Sequence, residues 1–305
     1  MSEIFNILLV QNTLRTATPV VLCALGCLMS DQVGIMNIGV DGMMLMGAFF
    51  AVLGSYLFGS WLAGILFTMI LGMLLGYFYY VFSVKFKSDE FIIGVALNIL
   101  AGGLTVFLLR TLFGVKGSFS SPRIVPLPTL HIPWLESIPV LGPILSGNTL
   151  LVYVSWLLVF LCWVLLYKTP LGFHLRASGQ APEALRASGV NPDRMKRIAS
   201  VLCGVLAALS GAHLSLGYLT MFSENMSASR GYVAVACVIF GGSNPPRVFL
   251  AALLFGFIDA LGMRLQKYIP SDITSMAPYV VTVVMMVAVV LLKRRKPSGI
   301  KPAAQ

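Results

Sequence analysis

Apolar residues run through this chain in long blocks, broken by short clusters of glycine, proline and charge, from near the N-terminus almost to the C-terminus. Blocks of about 17 to 25 apolar residues can cross a hydrocarbon layer as helices. The alternation expected of membrane-barrel strands is absent. A window of about 19 residues places spans at Gln11–Met29, Gly42–Phe58, Trp61–Ser83, Phe91–Phe113, Thr149–Tyr167, Ile198–Tyr218, Val248–Gln266 and Ala277–Leu292. Another apolar segment, Gly231–Phe240, is too short to cross unaided. The pattern predicts an all-α integral membrane protein with about 8 to 9 transmembrane helices, some of them broken or re-entrant.

One interruption stands out. Residues 30–42 read SDQVGIMNIGVDG, polar and glycine-rich between two apolar blocks. A helix break is tolerated at membrane depth only where its freed backbone groups face protein or a wet cavity, and transporters build solute paths from such breaks. On this reading Asn37 and Asp41 shape or gate a translocation path. The alternative is a cytoplasmic turn, with Asp41 complementing the dipole of the helix that follows. A loose echo, VACVIFGGSNPPRVFLAALLFG near the other end, suggests an internal repeat.

Composition agrees with the membrane assignment: 58% of residues are hydrophobic and 10% charged. The formal charge of +10 could suggest nucleic acid. Its clusters, however, Lys85 with Lys87, Arg194 to Arg197 and Lys293 to Lys296, all sit at the ends of apolar blocks, where topology and lipid headgroups explain them. The chain reads as a single transmembrane domain, 1–305. The segment 168–197 carries Lys168, Arg176, Arg186, Arg194, Lys196 and Arg197, six of the 21 basic residues, and by the positive-inside rule is cytoplasmic. The tail 293–305 falls on the same side, and the proline-rich segment 114–148 forms an external cap. The five cysteines show neither CxxC nor paired external spacing, and read as small packing residues. The N-terminus lacks a basic start and a small-residue cleavage site, so it is expected to be retained.

The stretch TPLGFHLRASGQAPEALRASGVNPDRMKRIAS, residues 169–200, is the most informative. Pro182 suits a first helical position, Glu183 complements the helix start and Gly189 can end the helix in a left-handed conformation. A helix of about two turns is unstable alone. Presenting Ala181, Ala184, Leu185 and Ala187, it suits a partner's groove; an ordinary loop on headgroups is the plainer alternative.

This pattern resembles the cytoplasmic coupling loop of bacterial ABC importer permeases of the branched-chain amino acid and ribose type. The resemblance extends to GIMNIGVDGMMLMGAFFA, GVALNILAGGL and GYVAVACVIFGGSNPPRVFLAALLFGFIDALG, nearly the whole chain. It implies a type II-like importer permease in the bacterial inner membrane, working with an ABC ATPase subunit, a second permease chain and an extracytoplasmic solute-binding lipoprotein. It also implies ATPase contacts at Gly172, Arg176, Glu183, Ala184 and Gly189. Where the family often has asparagine, this chain has Gln180, Ala181 and Pro182.

No phosphate-binding GxxxxGK[ST] occurs, so energy must come from separate ATPase subunits or from an ion gradient; the resemblance implies the former, with ATP and Mg on the partner ATPase and no cofactor expected in this chain. An ion-driven carrier or channel is the rival reading; it would place ionisable groups in the spans, where only Asp41, Asp259, Arg110 and His213 qualify. Asp259 is expected to bond a neighbouring helix and His213 to be a packing residue. A membrane enzyme would need a convergent reactive set, and none is evident. Few buried charges favour a neutral solute. The NIGVDGMMLMG stretch and the LNILA run around Asn98 resemble the nucleoside branch, associated with basic-membrane lipoproteins, with simple sugars or a riboflavin-like vitamin as alternatives. Asn98 either lines the path or bonds between helices. Ser223, Glu224 and Asn225 are expected in a free, solvated turn, with docking of the external receptor the alternative.

Overall fold

The computed structural model describes residues 7–131, 146–266, 280–285 and the single residues 276 and 287. Ten helices are labelled in chain order: α1 (Ile7–Gln32), α2 (Val40–Phe58), α3 (Trp61–Tyr80), α4 (Glu90–Phe113), α5 (Leu150–Lys168), α6 (Pro170–Gln180), α7 (Pro182–Ala187), α8 (Pro192–Ala212), α9 (Arg230–Gly241) and α10 (Pro245–Leu265). Helices α3 and α8 each continue into a π-helical turn, Val81–Lys85 and His213–Tyr218. Among the described residues seven helices are long and apolar enough to cross a membrane: α1, α2, α3, α4, α5, α8 and α10. The expected span Ala277–Leu292 falls mostly outside the described residues, and the tail 293–305 entirely so.

The helices form two layers. In α1, α2 and α8 between 78% and 89% of the membrane-length window is buried, against 28% to 33% in α3, α4, α5 and α10. The outer helices are also the more apolar ones, because lipid rather than protein covers their free faces. Small residues set how closely the layers approach. Gly72 and Gly76 on α3 meet Ser200 and Gly204 on α8, and a Cβ on Gly204 would overlap the Gly72 carbonyl oxygen. This is the small-xxx-small contact of membrane helices, in which close backbone packing replaces the hydrophobic drive that lipid removes. Gly256 of α10 packs in the same way on Ala17 of α1, and the Thr16 hydroxyl donates to the Gly256 carbonyl at 2.9 Å.

Pro19 lies inside α1 and cannot donate to the Arg15 carbonyl. His213 Nε2 sits 3.4 Å from that oxygen, and the Ser210 hydroxyl donates to the Pro19 carbonyl at 2.6 Å. His213 is thus a buried hydrogen-bonding residue at the proline, in accord with its expected packing role.

At one end of the bundle, here the far end, four short strands tie down the cap: β1 (Ser118–Phe119) pairs with β4 (Phe222–Ser223), and β2 (Thr129–Leu130) with β3 (Asn148–Thr149). The Leu127 N–H donates to Leu216 O at 3.0 Å, and the Gly117 N–H to the Glu224 carboxylate at 3.0 Å. Glu224, expected in a free turn, therefore holds the cap. Residues 132–145 of the expected 114–148 cap lie outside the described residues. The opposite end, here the loop end, carries α6 and α7.

Several boundaries differ from the sequence reading. Helix α1 runs on to Gln32, so the interruption begins at residue 33 rather than 30. Helix α8 starts at Pro192, with Asn191 capping it at the Asp193 N–H (2.9 Å), so residues 192–197 belong to a span and not to the 168–197 loop. Residues 170–180, read as loop, form α6, begun by Pro170 and capped by the Thr169 hydroxyl at Gly172 N.

Candidate translocation path

The break at residues 33–39 is non-helical chain whose backbone groups are met by side chains. Gly34 turns the chain out of α1 with a left-handed φ of 76°. The Met36 N–H donates to Glu90 Oε2 at 2.7 Å, and the Tyr79 hydroxyl lies 3.0 Å from the carbonyl oxygens of both Met36 and Glu90. Asn37 Oδ1 accepts from Gly39 N at 3.0 Å, while its Nδ2 faces Cys203 Sγ at 3.4 Å. Asn98 closes the remainder: its Oδ1 accepts from Gly42 N at 2.7 Å and its Nδ2 donates to Ile38 O at 3.1 Å. Broken backbone inside a membrane bundle needs such partners. Asn37 within the segment, and Glu90, Tyr79 and Asn98 on the helices around it, supply them.

Asp41, in the first turn of α2, also reaches the start of α9. Its Oδ1 accepts from Gly231 N and its Oδ2 from the Ser227 hydroxyl, both at 3.0 Å. Gly231 is required there, because a Cβ would lie 2.5 Å from the Asp41 Cα. Asn98 Nδ2 adds a bond to the Tyr232 hydroxyl at 2.8 Å. The N-termini of α2 and α9 therefore meet at one carboxylate, which complements the positive end of each. Asn98 is the ninth residue of α4, so the junction lies about 12 Å along that helix at 1.5 Å per residue, inside the bundle rather than at its rim.

Two broken segments thus converge. Residues 33–39 enter as non-helical chain from the loop end before α2 begins. Residues 219–229 run from the end of α8's π-helical turn through β4 at the far end and then a series of tight turns, with Asn225, Ala228 and Ser229 left-handed, before α9 begins. The counterpart of the first break is this 219–229 segment. The echo expected around Gly241–Asn244 is instead the tight turn between α9 and α10, with Gly242 and Ser243 left-handed. Of the three predicted path residues, Asn37 is buried in the core and Asp41 and Asn98 clamp the junction.

Beside the junction, toward the far end, α1, α9 and α10 enclose a cavity of 390 Å³. Thr16, Tyr218, Arg230, Phe255 and Asp259 are among its walls. Arg230 Nη2 and Asp259 Oδ2 pair at 3.3 Å, with the side chains 24% and 31% exposed. Asp259 bonds a neighbouring helix, as the sequence implied, but Arg230 was not anticipated. It sits in NMSASRG, a polar run that reads as loop. The available signal was its position beside the glycine that opens a short apolar segment.

At the loop end a second cavity, of 330 Å³, lies between the end of α1, α6 and the α9–α10 turn, with Asp31, Arg176, Gly179 and Ser243 on its walls. Gln32 Nε2 donates to Ser243 O at 2.7 Å, and the Ser243 hydroxyl donates to the Asp31 carboxylate. Gly179 of α6 packs on the backbone of Gln32–Gly34 so closely that a Cβ would overlap the Gln32 carbonyl.

The predicted ATPase-contact residues divide here. Glu183, Ala184 and Gly189 are exposed on and just after α7, where Pro182 opens the helix and Gly189 turns left-handed (φ 86°). Gly172 is buried against Leu165 and Leu166 of α5, where it brings two helices together. Arg176 is half-buried, its guanidinium 4.9 Å from the centre of the Tyr167 ring. Leu185 is also buried and anchors α7 to the bundle instead of being presented.

The described residues thus form a multi-pass bundle with two broken segments and an exposed short helix at one end. Residues 9–290 match the family described as branched-chain amino acid transport system / permease component, and the chain belongs to that family. It is 33% identical over 92% of its length to a guanosine ABC transporter permease protein of Bacillus subtilis, and equally so to a nucleoside ABC transporter permease protein of Lactococcus lactis, covering 91% of each relative. A putative glucose ABC transporter permease protein of Haloferax volcanii is 33% identical over 85% of this chain and 78% of its own. No solved structure matches. The protein is a membrane-embedded permease subunit of the ABC-transporter class.

Proposed function

We propose that this permease carries a ribonucleoside across the bacterial cytoplasmic membrane as one half of a path completed by a second, different permease chain. Energy comes from ATP and Mg on partner ATPase subunits, and the solute arrives on an extracytoplasmic lipoprotein. The observation that carries this reading is the 33% identity over 92% of the chain to a guanosine permease. Among the described residues the cavity's charged groups are Arg230 and Asp259, which neutralise each other, and this supports a neutral solute, because an unpaired solute charge would be costly to bury.

The loop end faces the cytoplasm on this reading, since Arg176, Arg186, Arg194, Lys196 and Arg197 lie there. The tail 293–305 falls on the same side. Glu183, Ala184 and Gly189 then face the ATPase, and Arg176 and Gly179 carry its movement to α1 and the α9–α10 turn. Asn37, Asp41 and Asn98 act as the gate by holding the two helix starts together.

Uptake of labelled guanosine, glucose and riboflavin by cells with and without the gene tests the substrate. Guanosine uptake that disappears with the gene and with ATP depletion is expected. Gene-dependent uptake of glucose alone would replace the nucleoside by a sugar, the reading that the haloarchaeal relative favours.

A further inference from the structure

The cavity between α1, α9 and α10 contains an arrangement that helix packing does not require. Its 390 Å³ is within the roughly 300–1,000 Å³ of small-molecule pockets. On one side Arg230 and Asp259 touch through a single nitrogen and a single oxygen, at 3.3 Å. An ion pair serving only to join α9 and α10 in lipid would be expected to be bidentate and closed off. Here both side chains are partly exposed, and groups are left over. Arg230 directs Nη1 at Met226 O (3.4 Å) and Nη2 at Asp259, with N–H groups to spare on its five-donor fork. Asp259 has one oxygen in the pair and the other, Oδ1, outside it. Val20 and Phe255 form an apolar wall, and Tyr218, its hydroxyl 3.4 Å from Met263 Sδ, adds an aromatic ring near the far end.

A donor and an acceptor held side by side, with no net charge, match two adjacent hydroxyl groups: one donates to the carboxylate while the oxygen of the other accepts from the guanidinium. The apolar wall and the Tyr218 ring match a planar, weakly polar base. Arg230 immediately precedes Gly231, whose N–H is held by Asp41. An occupant of the cavity therefore sits one residue from the point where the two helix starts meet.

We infer that this cavity is a solute station on the path, in which Arg230 and Asp259 bind the vicinal hydroxyls of a neutral ribose-bearing solute and Tyr218, Val20 and Phe255 pack on its planar part. The solute class rests on the nucleoside reading above; the station itself does not.

The test uses the complete transporter in membrane vesicles, with Val233→Cys placed on the cavity wall and labelled by a water-soluble maleimide. The five native cysteines are all buried, so background labelling is low. Guanosine is expected to slow labelling of this cysteine, and 2′,3′-dideoxyguanosine to protect far less. Adding Asp259→Asn should raise the guanosine concentration for half-protection about tenfold or more, as expected for loss of a hydrogen bond to a charged group. Asp259→Glu should restore much of the protection, which a purely structural role in folding would not predict.

A cysteine that does not label without solute, or labels equally fast with every transported solute, overturns the station. Equal protection by guanosine and its dideoxy analogue overturns the role given to the ion pair. If uptake shows glucose and not guanosine to be the cargo, the nucleoside reading fails by itself. Protection by glucose would then still uphold the station, and its absence would sink it.

Discussion

Asp41 is the residue on which most of the junction depends. Its carboxylate accepts from Gly231 N and from Ser227, both at 3.0 Å, while itself opening α2. Hydrogen bonds to a charged group contribute roughly 1.5–3 kcal/mol each, so Asp41→Ala should cost about 3 kcal/mol or more. Asp41→Asn keeps one acceptor and should cost less. The expected order in thermal unfolding of the purified protein is wild type, then Asn, then Ala; an Ala variant as stable as wild type would show that the junction is held by packing alone. The polar character of residues 33–42 was legible in the sequence, because aspartate, asparagine and glycine rarely interrupt an apolar block without a reason. Asp41's partners were not. Gly231 and Ser227 lie 190 and 186 residues away along the chain, and no local pattern encodes that distance. Arg230 escaped notice for a related reason: it ends a polar run, and only the fold brings Asp259 to it.

At the scale of elements, glycines set the contacts on which the helices depend, and the sequence shows that they are glycines without showing which surface each serves. Gly172 and Gly189 both looked like features of a docking loop. One is buried on α5 because no side chain fits there, and the other is an exposed left-handed turn. Helix α6 was missed because residues 170–180 have no long apolar period; Thr169 and Pro170 were its start signal. The α3–α8 crossing makes a direct prediction. Gly204→Val would put a branched side chain into the Gly72 backbone, and overpacking of this kind costs about 1–3 kcal/mol or more. A lower yield of folded protein and earlier thermal unfolding are expected, whereas Gly102→Val, at a glycine with open space around it, should leave both unchanged. Helix α7 makes another. Ala184→Trp adds bulk on an exposed surface, so insertion and stability should persist while uptake coupled to ATP hydrolysis falls. Unchanged uptake in that variant would remove α7 from the ATPase contact.

For the molecule as a whole, the inner helices α1, α2 and α8 are shielded by more apolar outer ones, and that layering could be anticipated only in part. Block lengths announced how many membrane-length helices there are among the described residues, but inner and outer blocks differ by small polar residues whose partners lie on other helices. The layering also gives movement a route. Gly179 of α6 rests on the end of α1, and the end of α1 is bonded through Gln32 and Asp31 to Ser243 in the α9–α10 turn. Helix α1 leads into the first broken segment, and α9 leads back from that turn to Asp41. A push on the loop end therefore reaches both helix starts at the junction by two short paths. If transport requires α1 and the α9–α10 turn to separate, fixing them together must stop it. Asp31→Cys with Ser243→Cys, joined by mild oxidation in a chain whose own cysteines are buried, should abolish uptake while ATP hydrolysis by the assembled transporter continues, and a reducing agent should restore uptake. If the crosslinked transporter still imports solute at the uncrosslinked rate, these two ends move as one body, and the junction must open by another displacement, with α2 sliding past α4 at Asn98 the next contact to lock.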